Sequence, residues 1–343
     1  MEILVLSNGK GEDSLAVTLL KAMDAPVKIK ALPLVGDGRA YADAGIETTD
    51  VDQDLPSHGF GGTRISSLLK DIRAGLGRVT LNHVRALKKL SSGADLIICV
   101  GDIYPVLLAG LFTGKPIIHV ATAISVRIRK YNFAEIALFR KRCRKVFSRD
   151  EETASFLRSK GVGAECVGNL MMDDPGLAET GEDLKIPADK FVIGLLPSSR
   201  PDARSNTEKM LKVMSHIGRD MNVEHVIATK GLMGDVIRRA NLIVGMTGTG
   251  NEQAAGLGKP VVLIEHGPAA SRKRIRQYEK LLEGAVVSFG GDDKKVAGGI
   301  MSLIKDPGRL REMGEAGRKI LGGPGAARKM AEAILRELKC LQQ

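Results

Sequence analysis

The sequence contains no tryptophan, and aromatic residues make up only 3% of its 343 residues. Binders of single-stranded nucleic acid stack bases on aromatic platforms, so that class is disfavoured despite a formal net charge of +11. Cysteine is scarce as well. Cys99, Cys143, Cys166 and Cys340 stand far apart without a CxxC pair, which argues against a disulfide framework or a cysteine metal site. The histidines show no metal-ligand spacing, so no metal is expected. No uncharged apolar run reaches the roughly 18 residues of a membrane span. Ile103 to Gly114 comes nearest and is too short. The start, Met1 to Leu6, lacks the basic stretch and cleavage site of a secretion signal. The expectation is a cytoplasmic chain, soluble or peripheral on the inner face of the membrane.

Apolar residues at 43% and charged residues at 27% describe an ordinary globular protein, and the length suits two domains. Short β-branched runs recur, each followed by a helical pattern. Strands are expected near 2–6, 27–34, 95–100, 116–121, 145–148 and 164–167, then near 191–196, 224–229, 241–246, 260–264 and 285–288. In the first half, helices are expected near 11–23, 64–90, 104–113, 133–143 and 150–159. Such alternation implies α/β architecture with two doubly wound parallel sheets. The expected division is an N-terminal domain over 1–170, a linker over 171–190, a C-terminal domain over 191–322 and a final helix within 323–343. That helix is expected to pack back toward the first domain. Ligands of open parallel sheets bind outside the strand carboxyl ends, so the loops there, along one cleft, are the candidate sites.

The strongest constellation runs from Gly245 through Thr247, Gly248, Thr249, Gly250, Asn251, Glu252 and Gln253 to Pro260. A strand ends in glycine and threonine and a helix begins, which suits a phosphate group at the helix N-terminus. Either Glu252 or Gln253 can reach a ribose hydroxyl, and a plain strand-helix turn is the alternative. Ser198, Ser199 and Arg200 end the first strand of the second half and suit bidentate phosphate binding. His266 follows another strand on the same side. In the first half, Gly9, Lys10, Gly11 and Glu12 join strand to helix without a nucleotide fingerprint and can line the cleft for a second substrate. Asp102 follows an apolar run. A carboxylate there serves either as general base or as helix N-cap. Asp50 to Asp54 fails the calcium-loop pattern and reads as a solvated acidic loop.

Nine of the 23 residues from Arg127 to Arg149 are basic, flanking a short apolar stretch. Arg127, Arg129, Lys130, Phe133, Phe139 and Arg140 are therefore candidate contacts to an anionic membrane surface, the alternative being a solvated face over a core helix. A second basic cluster, Arg272 to Arg276, begins a later helix.

With these pieces in order, the chain resembles lipid-A-disaccharide synthase and its related paralogues, glycosyltransferases of the GT-B type. The likeness rests on Val100 to Pro105, Gly168 to Asp173, Leu195 to Arg200 and Gly245 to Pro260. It implies two Rossmann-like domains and transfer of a hexose from a UDP-sugar to a lipid-linked or phosphorylated acceptor. It further implies inversion, no bound metal and no cofactor beyond the UDP-sugar co-substrate. Asp102 falls on the family's general base, Arg200 and the helix start at 247–251 on its donor site, and Gly9 to Glu12 with Arg64 on its acceptor side. Counted back from Pro260, the family's ribose-binding Glu falls on Gln253, and Ser198 replaces a turn glycine. A sugar-nucleotide 2-epimerase and a catalytically inactive nucleotide- or lipid-binding homologue are the alternatives, with a homodimer open.

Overall fold

The computed structural model describes residues 1–49, 76–178, 184–198, 201–218, 221–229, 231–246, 248–268 and 270–341. The chain forms two compact units, Met1–Leu170 with Gly325–Gln343, and Met171–Pro324.

Unit 1 runs β1 (Glu2–Ser7), α1 (Lys10–Lys21), β2 (Lys28–Pro33), α2 (Arg39–Asp43), β3 (Glu47–Thr48), α3 (Leu76–Ser91), β4 (Leu96–Gly101) and α4 (Ile103–Phe112). It continues with β5 (Ile117–Ala121), α5 (Phe133–Arg142), β6 (Cys143–Ser148), α6 (Glu151–Ser159) and β7 (Ala164–Glu165). The sheet order is β3-β2-β1-β4-β5-β6-β7, with every pair parallel. Val5 stands opposite Ala31 on one side and Ile98 on the other. Because side chains alternate across a strand, Ile3 and Val5 face one layer and Leu4 and Leu6 the other. The first layer contains Ala16 and Leu19 of α1 with Met330 and Ile334 of the last helix, α13 (Ala326–Cys340). The second contains Val84, Leu87, Val106, Leu108 and Phe139 from α3, α4 and α5. Burial on both faces explains the unbroken apolar strands, such as Leu96 to Val100, every one of them fully buried.

Unit 2 runs β8 (Phe191–Leu196), α7 (Ala203–Met214), β9 (Val223–Ile227), α8 (Met233–Arg239), β10 (Leu242–Gly245) and α9 (Thr249–Gly256). It ends with β11 (Val261–Leu263), α10 (Arg272–Leu281), β12 (Val286–Val287), α11 (Asp293–Ile304) and α12 (Pro307–Leu321). Its five parallel strands lie in the order β12-β11-β10-β8-β9. Helix α12 approaches α9 through glycine, since a Cβ at Gly317 would stand 2.1 Å from the Ala255 carbonyl oxygen. The start of the expected linker is packed rather than bare. Met171, Met172 and Leu177, in two short 3-10 turns, are buried in this unit because they are apolar and have a core to enter.

Each sheet has one place where successive crossovers leave in opposite directions. In unit 1 the chain leaves β1 toward β2 and leaves β4 toward β5. In unit 2 it leaves β8 toward β9 and β10 toward β11. A crevice opens beyond the strand carboxyl ends at such a switch point. The loops after β1, β4, β8 and β10 are those the sequence marks as candidate sites.

No described helix is long and apolar enough to cross a membrane.

Candidate functional site

At the unit 1 switch point, Gly101 lies at φ +126, and a Cβ there would sit 1.9 Å from Asn8 Oδ1. Glycine is what lets the loops after β1 and β4 close on one another. Asp102 follows, half-buried, and its Oδ1 accepts the Tyr104 N–H at 2.8 Å as the N-cap of α4. The cap and the base are therefore not exclusive, because the second carboxyl oxygen is not used by the cap. Burial raises the Asp102 pKa, opposed by the Tyr104 N–H, the Asn8 side chain and Arg129.

Two more carboxyls belong to the same rim. Glu12 is raised by burial and then by the charge of Asp102. Asp13, which the sequence reading passed over, is raised to about 7 by burial against the opposing pull of Ser7. Ser7 Oγ donates to Asp13 Oδ1 at 2.6 Å and shares a hydrogen bond with Tyr41 Oη at 2.7 Å. Gly9 and Gly11 flank Lys10, whose ammonium is turned to Asp37 at 2.9 Å. Arg64 lies outside the described residues, as do Asp50 to Asp54. A small cavity beyond β5 and β6 is lined in part by Thr122, Ser148, Arg149 and Asn169, which places part of the Gly168–Asp173 motif beside this rim.

At the unit 2 switch point the chemistry is different. Helix α9 starts at Gly248, φ +155, without a side-chain cap, and a Cβ there would meet nothing within 4 Å. The helix dipole stands behind this start, and the Asn251 N–H returns to the Gly248 carbonyl at 3.1 Å. Thr249 and Gly250 complete this start. Asn251 is turned inward, donating from Nδ2 to the Met246 carbonyl at 2.7 Å over Gly245. It fixes the helix start to β10. Glu252 is buried.

Gln253, the residue that the resemblance sets at the ribose, is engaged within unit 2. It is buried, and its Nε2 donates to the Met171 carbonyl at 3.1 Å and to Asp174 Oδ2 at 3.0 Å. The helix turns it onto the packed 3-10 segment, whose sequence distance hid the partner. Ser198 lies at φ +90, a glycine-like conformation in keeping with its place in the turn. Asn206 of α7, absent from the sequence reading, holds the Pro197 carbonyl at 2.8 Å. His266 Nε2 lies 2.7 Å from Ser205 Oγ, joining the loop after β11 to α7. Ser199, Arg200 and Thr247 lie outside the described residues.

The basic stretch divides into three kinds of residue. Arg127 pairs with Glu152, and Arg129 forms two bonds to Glu135, at 2.9 and 2.8 Å. Lys130, Phe133 and Arg140 are exposed. Phe139 corrects the membrane expectation, for it is fully buried with its ring centroid 5.3 Å from His119 and 5.4 Å from Tyr131. One helical turn after buried Glu135, it shares that inward face.

No family model and no curated protein sequence matches the chain. Solved structures do match. A UDP-GlcNAc 2-epimerase from Neisseria meningitidis bound to UDP-GlcNAc is 15% identical, with 98% of this chain and 100% of that one covered at a TM-score of 0.62. MurG from Acinetobacter baumannii is 15% identical, with 98% and 99% covered at 0.65. The glycosyltransferase SnogD from Streptomyces nogalater is 16% identical, with 98% and 99% covered at 0.62. The chain has the GT-B fold, and the neighbours named here include both a UDP-GlcNAc 2-epimerase and a glycosyltransferase.

Proposed function

We propose that the chain is a glycosyltransferase, similar to lipid-A-disaccharide synthase, that moves a hexose from a UDP-sugar to a hydroxyl of a lipid-linked or phosphorylated acceptor. The observation that carries this reading is Asp102: a half-buried carboxyl with a raised pKa at the unit 1 switch point. In its ionised form it takes the proton of the acceptor hydroxyl as that oxygen bonds to the anomeric carbon. The bond from that carbon to the UDP oxygen breaks on the opposite face, which inverts the centre. The charge left on UDP is met by the uncapped N–H groups at the start of α9, with Arg200 as a second positive group. Gly9, Gly11 and Glu12 border the acceptor.

A second reading, a sugar-nucleotide 2-epimerase, is favoured by the other carboxyls on that rim, Glu12 and Asp13. One set of measurements separates the two. UDP at a hundred times its dissociation constant should stabilise the protein by about 2.7 kcal/mol, with or without magnesium. Labelled UDP-sugar is then followed with and without a lipid extract. Label moving into lipid supports transfer. An epimerised nucleotide sugar formed without acceptor overturns it, and UDP binding with neither product leaves a binding protein.

A further inference from the structure

Strands β1 and β4 lie side by side with Ser7 opposite Val100, so the residues that follow, Asn8 and Gly101, meet at the unit 1 rim. The Cβ that Gly101 lacks would stand 1.9 Å from Asn8 Oδ1, 3.1 Å from Asn8 Cγ and 3.2 Å from Glu12 Cγ. The Asn8 amide therefore occupies the space that any other residue at 101 would fill. Asp102 comes next in the chain, and the Asn8 side chain hydrogen-bonds to its carboxyl. A carboxylate only accepts, so Asn8 Nδ2 is the donor.

Two features set this contact apart from ordinary loop packing. Asn8 Oδ1 is buried without a hydrogen-bond partner among the described residues. An orphaned buried oxygen costs stability, and an apolar residue closing the same loop would not carry that cost. The amide is kept for its nitrogen. The second feature is the carboxyl itself. The Tyr104 N–H, at 2.8 Å, pins Oδ1 but does not by itself set the carboxyl plane. A second donor does.

The other groups around Asp102 are charged or titratable. Glu12 on α1 and Glu135 on α5 act against its ionised form, and Arg129, in the loop after β5, acts for it. Arg129 is itself bonded twice to Glu135. Tyr104 on α4 has its phenol pushed up, first by burial and also by the Asp102 charge. Asn8 and the Tyr104 N–H are thus the neutral donors to the carboxylate among the described residues.

We propose that Asn8 is the positioning residue of Asp102, with Nδ2 donating to the carboxylate and setting the plane of the group that takes the acceptor proton. Gly101 is the small residue that lets the amide reach. This role rests on the reading of Asp102 as general base and supplies the group that aims it.

The test follows the Asp102 carboxyl by carbon-13 NMR in the full chain labelled at aspartate, its signal assigned by loss in Asp102→Asn. Asn8→Ala should raise the Asp102 midpoint by about one pH unit, since a donor to the ionised form is gone. Asn8→Asp keeps the shape and loses the donor. It should raise the midpoint further, because a second carboxyl then faces the first. Thermal midpoints show whether the variants fold. The parent labelled with nitrogen-15 at asparagine gives a reading that needs no variant of Asn8. One side-chain amide should shift through the Asp102 midpoint, and that shift should vanish in Asp102→Asn. Where sugar is transferred, Asn8→Ala should slow it by about tenfold or more and move its rise with pH upward, leaving UDP stabilisation unchanged. The assignment is overturned if both variants keep the parent's Asp102 midpoint, or if no asparagine amide follows it. Asn8 then only closes the loop. A chain that shows these shifts but transfers no sugar keeps the Asn8–Asp102 pair and loses the transferase reading.

Discussion

The rims of the two units are built alike and charged in opposite senses. In unit 1 the helix start after β4 is capped by Asp102, and Glu12 and Asp13 occupy the first turn of α1. In unit 2 the helix start after β10 has no side-chain cap and begins at a glycine over open space. A capped start has already used its positive end on its own carboxylate, while an uncapped one keeps it for an incoming anion. Parallel sheets with a switch point supply the crevice in both units. On the proposed function, the residue types in the loops assign one crevice to a hydroxyl giving up its proton and the other to a diphosphate.

The comparison breaks most sharply at Asp102. Asp102→Asn keeps an oxygen to cap α4 and removes the base, so stability should hold while transfer falls by about 10²- to 10⁴-fold. UDP affinity should stay unchanged, because unit 2 is untouched. A rate within tenfold of the parent would reduce Asp102 to a cap. In the parent, activity should rise with pH through an ionisation lying above the usual carboxylate range.

Asp13 tests the same crowding through stability. Its folded-state pKa, about 7, is raised above the unfolded value, so the folded chain holds this proton more tightly. Its contribution favours the folded state at low pH and is lost as pH rises from about 4 to about 7, by at most on the order of 4 kcal/mol. Asp13→Asn should flatten that part of the profile in urea melts at pH 5 and 8. An unchanged slope would show that Asp13 is ionised in the fold. In unit 2 the corresponding lever is packing. Gly317→Ala pushes a methyl into the Ala255 carbonyl and should cost about 1–3 kcal/mol, read as a lower urea midpoint.

How far these rims could be read from sequence depends on which physical signal each residue leaves. Strands buried on both faces leave continuous apolar runs, so β8 is visible over 191–196 without its partners. The carboxyl-end loops follow from the alternation of strands and helices. Helix rotation leaves a weaker trace. Phe139 lies in a short helix flanked by Arg140, Lys141 and Arg142, and the charges obscure that it points inward. Gln253 and Asn251 are polar residues spent on backbone carbonyls, and the carbonyl of Met171 is far from Gln253 in sequence. Nothing local separates such a residue from a ligand contact.

The smallest expected effect sharpens the unit 2 side of the comparison. Ser198 holds φ +90, where a side chain is strained, by about 1 kcal/mol relative to glycine. Ser198→Gly releases that strain but gives the unfolded chain more freedom, worth roughly 0.5–1 kcal/mol in the other direction. Stability should therefore move by less than about 1 kcal/mol. UDP stabilisation should persist if the turn serves through its backbone path, whereas Ser198→Val should be clearly less stable, because a β-branched residue fits that φ worst. If Ser198→Gly instead abolishes the UDP effect with the fold intact, the hydroxyl itself contacts the nucleotide. The donor rim would then depend on a side chain as well as on the helix start at Gly248.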